Sequence, residues 1–282
     1  MTVLLVSFAD GGDEWKSALR RLENQALTTG MFSSVACFTV DDYIAHRPSF
    51  AKDLEHILQL DSGHLAYRAV KAWLIRDALR GDFGEFDLIV YLDAGCELNL
   101  NGIASKRMGH KLKSAYNKGG LAELLAEMES SRTKPAVLRH LNLSSEESQT
   151  RQVQATWSMW RVCEANLELA QRWVDLSDPD LNLWQNPKTP NGSEEHRRDQ
   201  SLMSILWKRL GLPTQEVECH FDTSTRIGKL RLSVIPILTI RNRSGQSTAL
   251  RARTSFAKQL LGLAVHLAGL NYLRVANLKR FK

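Results

Sequence analysis

The most constraining feature of the sequence is an apolar segment that ends at a carboxylate. Residues 88–92 (Leu-Ile-Val-Tyr-Leu) are followed by Asp93, Ala94 and Gly95. A run that is apolar at successive positions is typical of a central strand covered on both faces. An Asp after such a strand lies at the carboxyl edge of the sheet, where open α/β proteins bind ligands. It is well placed to hold a divalent cation and a phosphorylated substrate, or it simply opens a turn.

Length and composition indicate a folded globular protein. The chain has 282 residues, 43% of them hydrophobic and 24% charged, which suits a large core and excludes wholesale disorder. Residues 1–7 lack a basic leader and a cleavage site, so we expect a first strand and no signal peptide. Four isolated cysteines without a CxxC pair indicate reduced thiols, and exclude a disulfide framework or a cysteine zinc site. They are Cys37, Cys96, Cys163 and Cys219.

The order of segments predicts an α/β sheet. Residues 3–8 and 34–40 are predicted strands, and the helical spacing of Trp15, Leu19 and Leu22 between them makes a β-α-β unit. We predict a mobile basic loop at 102–120. The other predicted helices cover 63–79, 120–129, 163–174, 202–210 and 255–277, and the other predicted strands cover 135–141, 156–159 and 234–240.

Two of the predicted helices have several polar residues near their N-termini. Arg68 and Lys71 lie one turn apart after Asp61-Ser62-Gly63, and we expect them to grip a diphosphate unless they are solvated charges of an amphipathic helix. His196, Asp199 and Gln200 precede a Leu-rich helix. The free N–H groups of a helix start suit phosphate or sugar hydroxyls; the alternative is that Asp199 only caps the helix.

In this order the segments resemble a known family. The resemblance rests on the first strand, the helix carrying Lys71, Tyr-Leu-Asp-Ala-Gly-Cys-Glu at 91–97, a tryptophan-containing middle, and His-Arg-Arg-Asp-Gln-Ser at 196–201. They are similar to the GT-A-fold glycosyltransferases of bacterial surface-polysaccharide and lipopolysaccharide synthesis over residues 3–243. The resemblance implies a Rossmann-type mixed sheet flanked by helices. It also implies transfer of a hexosyl group from a nucleotide sugar to a hydroxyl of a glycan or lipid-linked acceptor.

The resemblance also implies a donor site. Asp93 stands at the family's Asp-x-Asp metal motif, which implies Mn²⁺ or Mg²⁺, although Gly95 replaces the second Asp. Ser7 and Phe8 end the first strand, where such enzymes begin their nucleotide pocket. Separately from the resemblance, His220 and His64 are candidates for a third metal ligand, because imidazole binds Mn²⁺, whereas the alternative is a structural or surface role.

The same resemblance implies the groups at the sugar. His196, Asp199 and Gln200 would face the sugar or acceptor, with Arg68 and Lys71 supporting the phosphates. In an inverting enzyme Asp199, in preference to Glu97, would be the general base, whereas a retaining enzyme would not use it so. Separately, the polar surroundings of Trp184 suggest that it stacks on an acceptor sugar, while Trp173 and Trp207 have core spacing.

The charge of the chain is concentrated at its C-terminus. Residues 226–282 contain 12 Lys or Arg and no Asp or Glu, while the other 225 residues contain 25 basic and 31 acidic residues. Within this tail the apolar segment 260–270 is too short to span a bilayer. It suits either an interfacial anchor on an anionic leaflet or a helix that closes the body. We therefore divide the chain into a glycosyltransferase domain at 1–243 and a basic tail at 244–282, and expect a cytoplasmic protein at the inner membrane face.

Two other functions fit parts of the sequence. The basic tail would suit a nucleic-acid-binding protein, but it lacks interleaved aromatic residues and a recognisable reading motif, so we expect no nucleic acid partner. The Asp93 strand end alone is also compatible with another nucleotide-dependent α/β transferase or a phosphohydrolase.

Overall fold

A computed structural model describes residues 1–9, 11–60, 68–99, 102–181, 183–184, 196–219, 225–239 and 259–270. Its strands are β1 (Val3–Phe8), β2 (Ser34–Phe38), β3 (Leu88–Leu92), β4 (Glu97–Leu98), β5 (Gly120–Met128), β6 (Arg151–Arg161), β7 (Thr214–Glu216) and β8 (Ile237–Leu238). Its first six helices are α1 (Asp13–Thr29), α2 (Val40–His46), α3 (Phe50–Leu60), α4 (Val70–Arg80), α5 (Gly102–Lys118) and α6 (Glu129–Arg132). The others are α7 (Pro135–His140), α8 (Ser145–Ser148), α9 (Glu164–Leu176), α10 (Asp199–Arg209), α11 (Arg226–Leu232) and α12 (259–270).

Six strands form one mixed sheet in the order β2-β1-β3-β6-β5-β7. Strand β6 runs antiparallel to both of its neighbours, whereas the pairs β1–β2, β1–β3 and β5–β7 are parallel. All strands except β6 therefore point the same way, and their carboxyl ends share one edge. The mixed α/β sheet flanked by helices is confirmed.

Both faces of the central strands are buried. In β3, Ile89 and Tyr91 join a core with α4, α9 and α10, while Leu88, Val90 and Leu92 join a second core with α1 and α5. Because successive side chains of a strand point to opposite faces, a strand covered on both sides needs an unbroken apolar run. The sequence of β3 meets that requirement.

Three predicted segments are wrong. The basic loop predicted at 102–120 is helix α5, whose Ile103, Met108 and Leu112 face the core while its charged residues lie between them. Most of the helix predicted at 120–129 is instead strand β5 (Gly120–Met128), because pairing with β6 and β7 overrides its helical propensity. The strand predicted at 135–141 is helix α7, which has Pro135 in its first turn.

Other predicted segments agree in part. The predictions at 156–159 and 163–174 are confirmed by β6 and α9, and the helix predicted at 202–210 begins earlier, at Asp199. The late strand is limited to Ile237–Leu238, which pairs with β4 in a separate two-stranded sheet. Residues 61–67, with His64, and the boundary at 243/244 lie outside the described residues. Among the helices of the described ranges, none combines the length and apolar character needed to cross a bilayer.

Candidate active site

Asp93 lies at the carboxyl end of β3, in a turn that other elements hold in place. Its N–H donates to the Thr156 carbonyl of β6 at 2.8 Å, and the Cys96 N–H closes the turn onto the Asp93 carbonyl at 2.8 Å. From α1, the buried Arg21 donates from Nη2 to the carbonyls of Ala94 (3.2 Å) and Cys96 (3.1 Å). This arginine was not predicted from the sequence, because a buried cation on an amphipathic helix has the same spacing as a solvated one.

Lys71 of helix α4 joins the two acidic segments of the site. Its Nζ lies 3.0 Å from Oδ1 of Asp93 and 3.1 Å from Oδ2 of Asp199, and it donates to the Ala155 carbonyl at 2.9 Å. The ammonium therefore donates hydrogen bonds to Ala155 and Asp199 and forms a close ion pair with Asp93. The Asp93 side chain is 39% exposed, while the side chain of Asp199 is only 6% exposed. The two carboxylates therefore share one buried cation and differ in access to solvent.

The electrostatics keep Lys71 charged. Burial alone would lower the pKa of its ammonium, but the charges of Asp93 and Asp199 outweigh that effect, so its pKa is raised above the usual value. The hydroxyl of Tyr91 donates to Oδ1 of Asp93 at 2.8 Å, and burial followed by that neighbouring charge raises its pKa far above 10.0. Both groups therefore remain hydrogen-bond donors to Asp93 at neutral pH.

Two side chains of helix α10 accept hydrogen bonds from backbone N–H groups of strand β6. The Gln200 Oε1 accepts from the Ala155 N–H at 3.4 Å, and the Ser204 Oγ accepts from the Val153 N–H at 2.7 Å. Two residues of strand span about 6.6 Å and four residues of helix about 6 Å, so side chains four apart match alternate strand N–H groups. This attachment positions Asp199, the first residue of α10, beside Lys71.

A second polar network lies behind Gln200. Its Nε2 donates to Gln152 Oε1 at 2.6 Å, and the Gln152 amide in turn donates to the buried carboxylate of Glu129 at 3.3 Å. Glu129 also accepts from Thr133 at 2.9 Å and from Lys208 at 2.8 Å. The orientation of the Gln200 amide is therefore set by a series of hydrogen bonds that ends on Glu129, which is paired with Lys208.

The backbone entering α10 is strained. Arg198 has φ 43° and ψ −110°, an unfavourable combination for a residue with a Cβ. Such strain persists only where the surroundings enforce it, and it is concentrated at functional sites. His196 supplies part of the enforcement: its Nε2 lies 2.9 Å from the Leu183 carbonyl, and its Nδ1 accepts from the Lys134 N–H at 3.3 Å. Burial lowers its pKa to about 4, so the ring is neutral.

The residues that we expected to contact the donor differ in their exposure to solvent. Ser7 is buried and donates to the Leu92 carbonyl at 2.7 Å, which ties β1 to β3 next to the Asp93 turn. Phe8 is also buried, and Gly95 lies within the turn itself. Arg68 is exposed just before α4, whereas Lys71 is buried. The two cations therefore do not form the jointly exposed pair that their spacing suggested.

The remaining predicted groups do not complete a metal centre within the described part of the chain. His220 lies outside it, and inside it no three His, Cys, Asp or Glu side chains are arranged to hold a metal ion.

Glu97 is fully buried in β4 and interacts with Arg21. Trp184 is fully buried, so its predicted exposure to an acceptor sugar is wrong, whereas the core positions of Trp173 and Trp207 are confirmed.

Solved structures with a similar fold are glycosyltransferases of low sequence identity. A glycosyltransferase involved in the glycosylation of the major capsid of PBCV-1 has a TM-score of 0.45 and 11% identity, covering 89% of this chain and 97% of that chain. Mouse xyloside xylosyltransferase 1 in its apo form has a TM-score of 0.43 and 10% identity, covering 84% and 96%. Core-mannan synthase A from Aspergillus fumigatus, in a Mn/GDP form, has a TM-score of 0.36 and 10% identity, covering 73% and 69%.

No protein-family model matches the sequence, and no curated protein matches it. The structural scores describe a distant likeness of overall shape, so the activity of this chain has to be inferred from its own site.

Proposed function

We propose that the protein is a glycosyltransferase that moves a sugar from a nucleotide-sugar donor to a hydroxyl group of a glycan or lipid-linked acceptor. One observation carries the proposal: the Lys71 ammonium joins Asp93, at the carboxyl edge of the parallel strands, to Asp199, at the start of α10. This edge is the ligand-binding edge of open α/β sheets. The half-exposed carboxylate of Asp93 supplies a site for the charged end of a donor, and the Asp199–Gln200 pair supplies polar groups for its sugar.

Asp93 suits a divalent cation in one specific way. Its Oδ1 accepts from Tyr91 and pairs with the Lys71 ammonium, and its Oδ2 has no hydrogen-bond partner within the described ranges. Mg²⁺ is often held by one or two carboxylates together with substrate phosphates and water, so a single oxygen of Asp93 fits that mode. A bound Mg²⁺ or Mn²⁺ would neutralise charge that develops on the leaving diphosphate. His220 stays a proposed third ligand.

In this proposal Lys71 positions the carboxylates and does not bind phosphate directly. Its ammonium already donates to Ala155 and Asp199 and pairs with Asp93, so a phosphate contact would disrupt these interactions. Of the two cations predicted to contact the diphosphate, the exposed Arg68 is therefore the one proposed to do so. His196 likewise holds the entry to α10, because both of its ring nitrogens are bonded to backbone groups.

Transfer joins the acceptor oxygen to the anomeric carbon, breaks the bond to the diphosphate and releases the hydroxyl proton. If the enzyme inverts, Asp199 is the proposed base, and Lys71 sets the orientation of its carboxylate. If it retains, Asp199 and Gln200 line the sugar without taking that proton. The side-chain amide of Gln200 has a defined orientation, because it accepts from the Ala155 N–H and donates to Gln152.

The test is a thermal-shift panel of UDP-, GDP- and dTDP-sugars with and without Mn²⁺, followed by product analysis. Glycosyl transfer predicts stabilisation by one donor class and release of a nucleoside diphosphate. Release of inorganic phosphate would instead indicate a phosphohydrolase. No stabilisation by any donor, with or without Mn²⁺, would contradict the proposal.

A further inference from the structure

Helix α12 contacts the body through an unusual face. The residues turned inward are Gln259, Gly262, His266 and Gly269, which are polar or lack a side chain. The Gln259 Oε1 accepts from the Ile103 N–H at 3.2 Å, and the His266 Nε2 lies 3.1 Å from a guanidinium nitrogen of Arg107. Most amphipathic helices of globular proteins bury an apolar stripe instead.

The glycines of α12 allow close contact with helix α11. A Cβ at position 262 would overlap the carbonyl oxygen of Leu230, and one at position 269 would lie 3.0 Å from the Arg231 guanidinium carbon. Any side chain at 262 would therefore push α12 away. The polar face is held against the body by shape as well as by hydrogen bonds.

The opposite face of α12 is apolar and exposed. Leu260, Leu261 and Leu267 are 49%, 55% and 49% exposed, and Ala264 and Ala268 are exposed between them. At 100° per residue these five positions fall within an arc of about 120°, directly opposite the inward face. These three leucines therefore do not hold the helix to the body, and together with the two alanines they form one outward surface, the leucine face.

The sequence around the leucine face is strongly cationic. Residues 226–282 contain 12 Lys or Arg and no Asp or Glu, and Lys229 is exposed on α11. The basic residues closest in sequence to α12 are Arg251, Arg253, Lys258, Arg274, Lys279 and Arg280. A partner for this region has to offer negative charge together with an apolar phase.

We propose that the leucine face of α12 docks on a bilayer containing anionic phospholipids. An interfacial helix inserts an apolar face among the acyl chains while basic residues meet anionic headgroups. A nucleic acid would satisfy the charge but leave the leucines in water. A second copy would bring two cationic segments together, with unfavourable repulsion. This docking is independent of the glycosyl-transfer proposal.

The test is co-sedimentation of the full chain with vesicles of phosphatidylcholine alone or with roughly one-third phosphatidylglycerol. We expect binding to the anionic vesicles, weakened by high salt. The triple variant Leu260→Ser/Leu261→Ser/Leu267→Ser should partition at least ~10-fold less, because the apolar contribution is lost. A matched control, Leu27→Ser/Leu58→Ser/Leu210→Ser, changes three leucines that are exposed elsewhere and should bind like the original chain.

Failure of the original chain to bind anionic vesicles would overturn the proposal, as would undiminished binding by the α12 triple variant. Light scattering separates the main rival: a dimer that the triple variant abolishes would show that a second copy covers the leucine face. The triple variant should also melt at the temperature of the original chain. A large drop would mean that these leucines pack on the body, which would again overturn the proposal.

Discussion

The Nζ of Lys71 lies 3.1 Å from Oδ2 of Asp199, although the two residues are 128 positions apart in the chain. This contact fixes the start of α10 against α4, and the second carboxylate on the same ammonium, Asp93, adds the end of β3. Three elements thus converge on one charge. A change at Lys71 should therefore affect stability and donor binding together.

Lys71→Met should lower both the stability of the protein and its affinity for the donor. Methionine keeps the length of the side chain but leaves the buried Asp199 without its cation, and removing one partner of a buried ion pair costs about 3 kcal/mol in the free energy of unfolding. Urea denaturation at pH 7 measures this loss. The double variant Lys71→Met/Asp199→Asn removes the stranded charge and should recover at least half of it. A single variant as stable as the original chain would contradict the bridging role.

Asp93→Asn should separate function from stability. The amide keeps the shape of the carboxylate and can still accept from Tyr91, so we expect a change of about 1 kcal/mol in the free energy of unfolding. The rate of transfer should fall roughly 100-fold, and the thermal stabilisation by the donor should decrease, because the charge toward the diphosphate end is lost.

The control for Asp93 is the aspartate at the other end of the same strand. Asp87 precedes β3, is exposed and accepts from the Thr2 N–H at 2.6 Å. Asp87→Asn should leave transfer unchanged. Equal transfer by the Asp93 and Asp87 variants would contradict the proposed role of Asp93.

His196 should make the protein sensitive to mild acid. Because its pKa falls to about 4 on folding from 6.5, the folded state binds fewer protons between these values. Its contribution is therefore complete above pH 6.5 and is lost as the pH falls toward 4, by about 2 kcal/mol between pH 7 and pH 5.

The measurement is the difference in unfolding free energy between pH 7 and pH 5, compared with the non-titrating variant His196→Gln. The difference should be about 2 kcal/mol smaller in the variant. Burial raises the pKa of Glu123 to about 7, an effect of opposite sign on stability, but it is present in both proteins and cancels in the comparison. Identical pH dependence in the two proteins would refute the assignment.

A pair of glycine substitutions tests how α12 is seated. Gly262→Ala places a methyl group against the Leu230 carbonyl, so we expect a loss of about 2 kcal/mol and faster amide exchange in α12. Gly109→Ala lies in α5 with no other heavy atom within 4 Å of its new Cβ. It should stabilise the chain by about 0.5–1 kcal/mol. Equal effects of the two substitutions would show that α12 is not closely packed.

The candidate site was predicted from the sequence where local pattern and chemistry agree. The apolar run of β3 indicates a strand covered on both faces, which places Asp93 at the carboxyl edge. The Asp199–Gln200 pair was found because it opens an amphipathic helix. Residues 120–128 were predicted incorrectly, since Leu, Ala and Glu favour a helix and only pairing with β6 and β7 makes them a strand. Arg21 was missed because helical spacing does not distinguish a buried cation from a solvated one.

The sequence alone determined the covered β3 strand, the carboxylate at its end, and the concentration of basic residues after position 225, because these depend only on the order of residue types. The tertiary structure decided that Lys71 turns inward to join Asp93 and Asp199, and that α12 packs through its glycines with Leu260, Leu261 and Leu267 outward. Both outcomes depend on which surfaces meet. A helical pattern records the relative angles of side chains, but it does not specify which face the rest of the chain will cover.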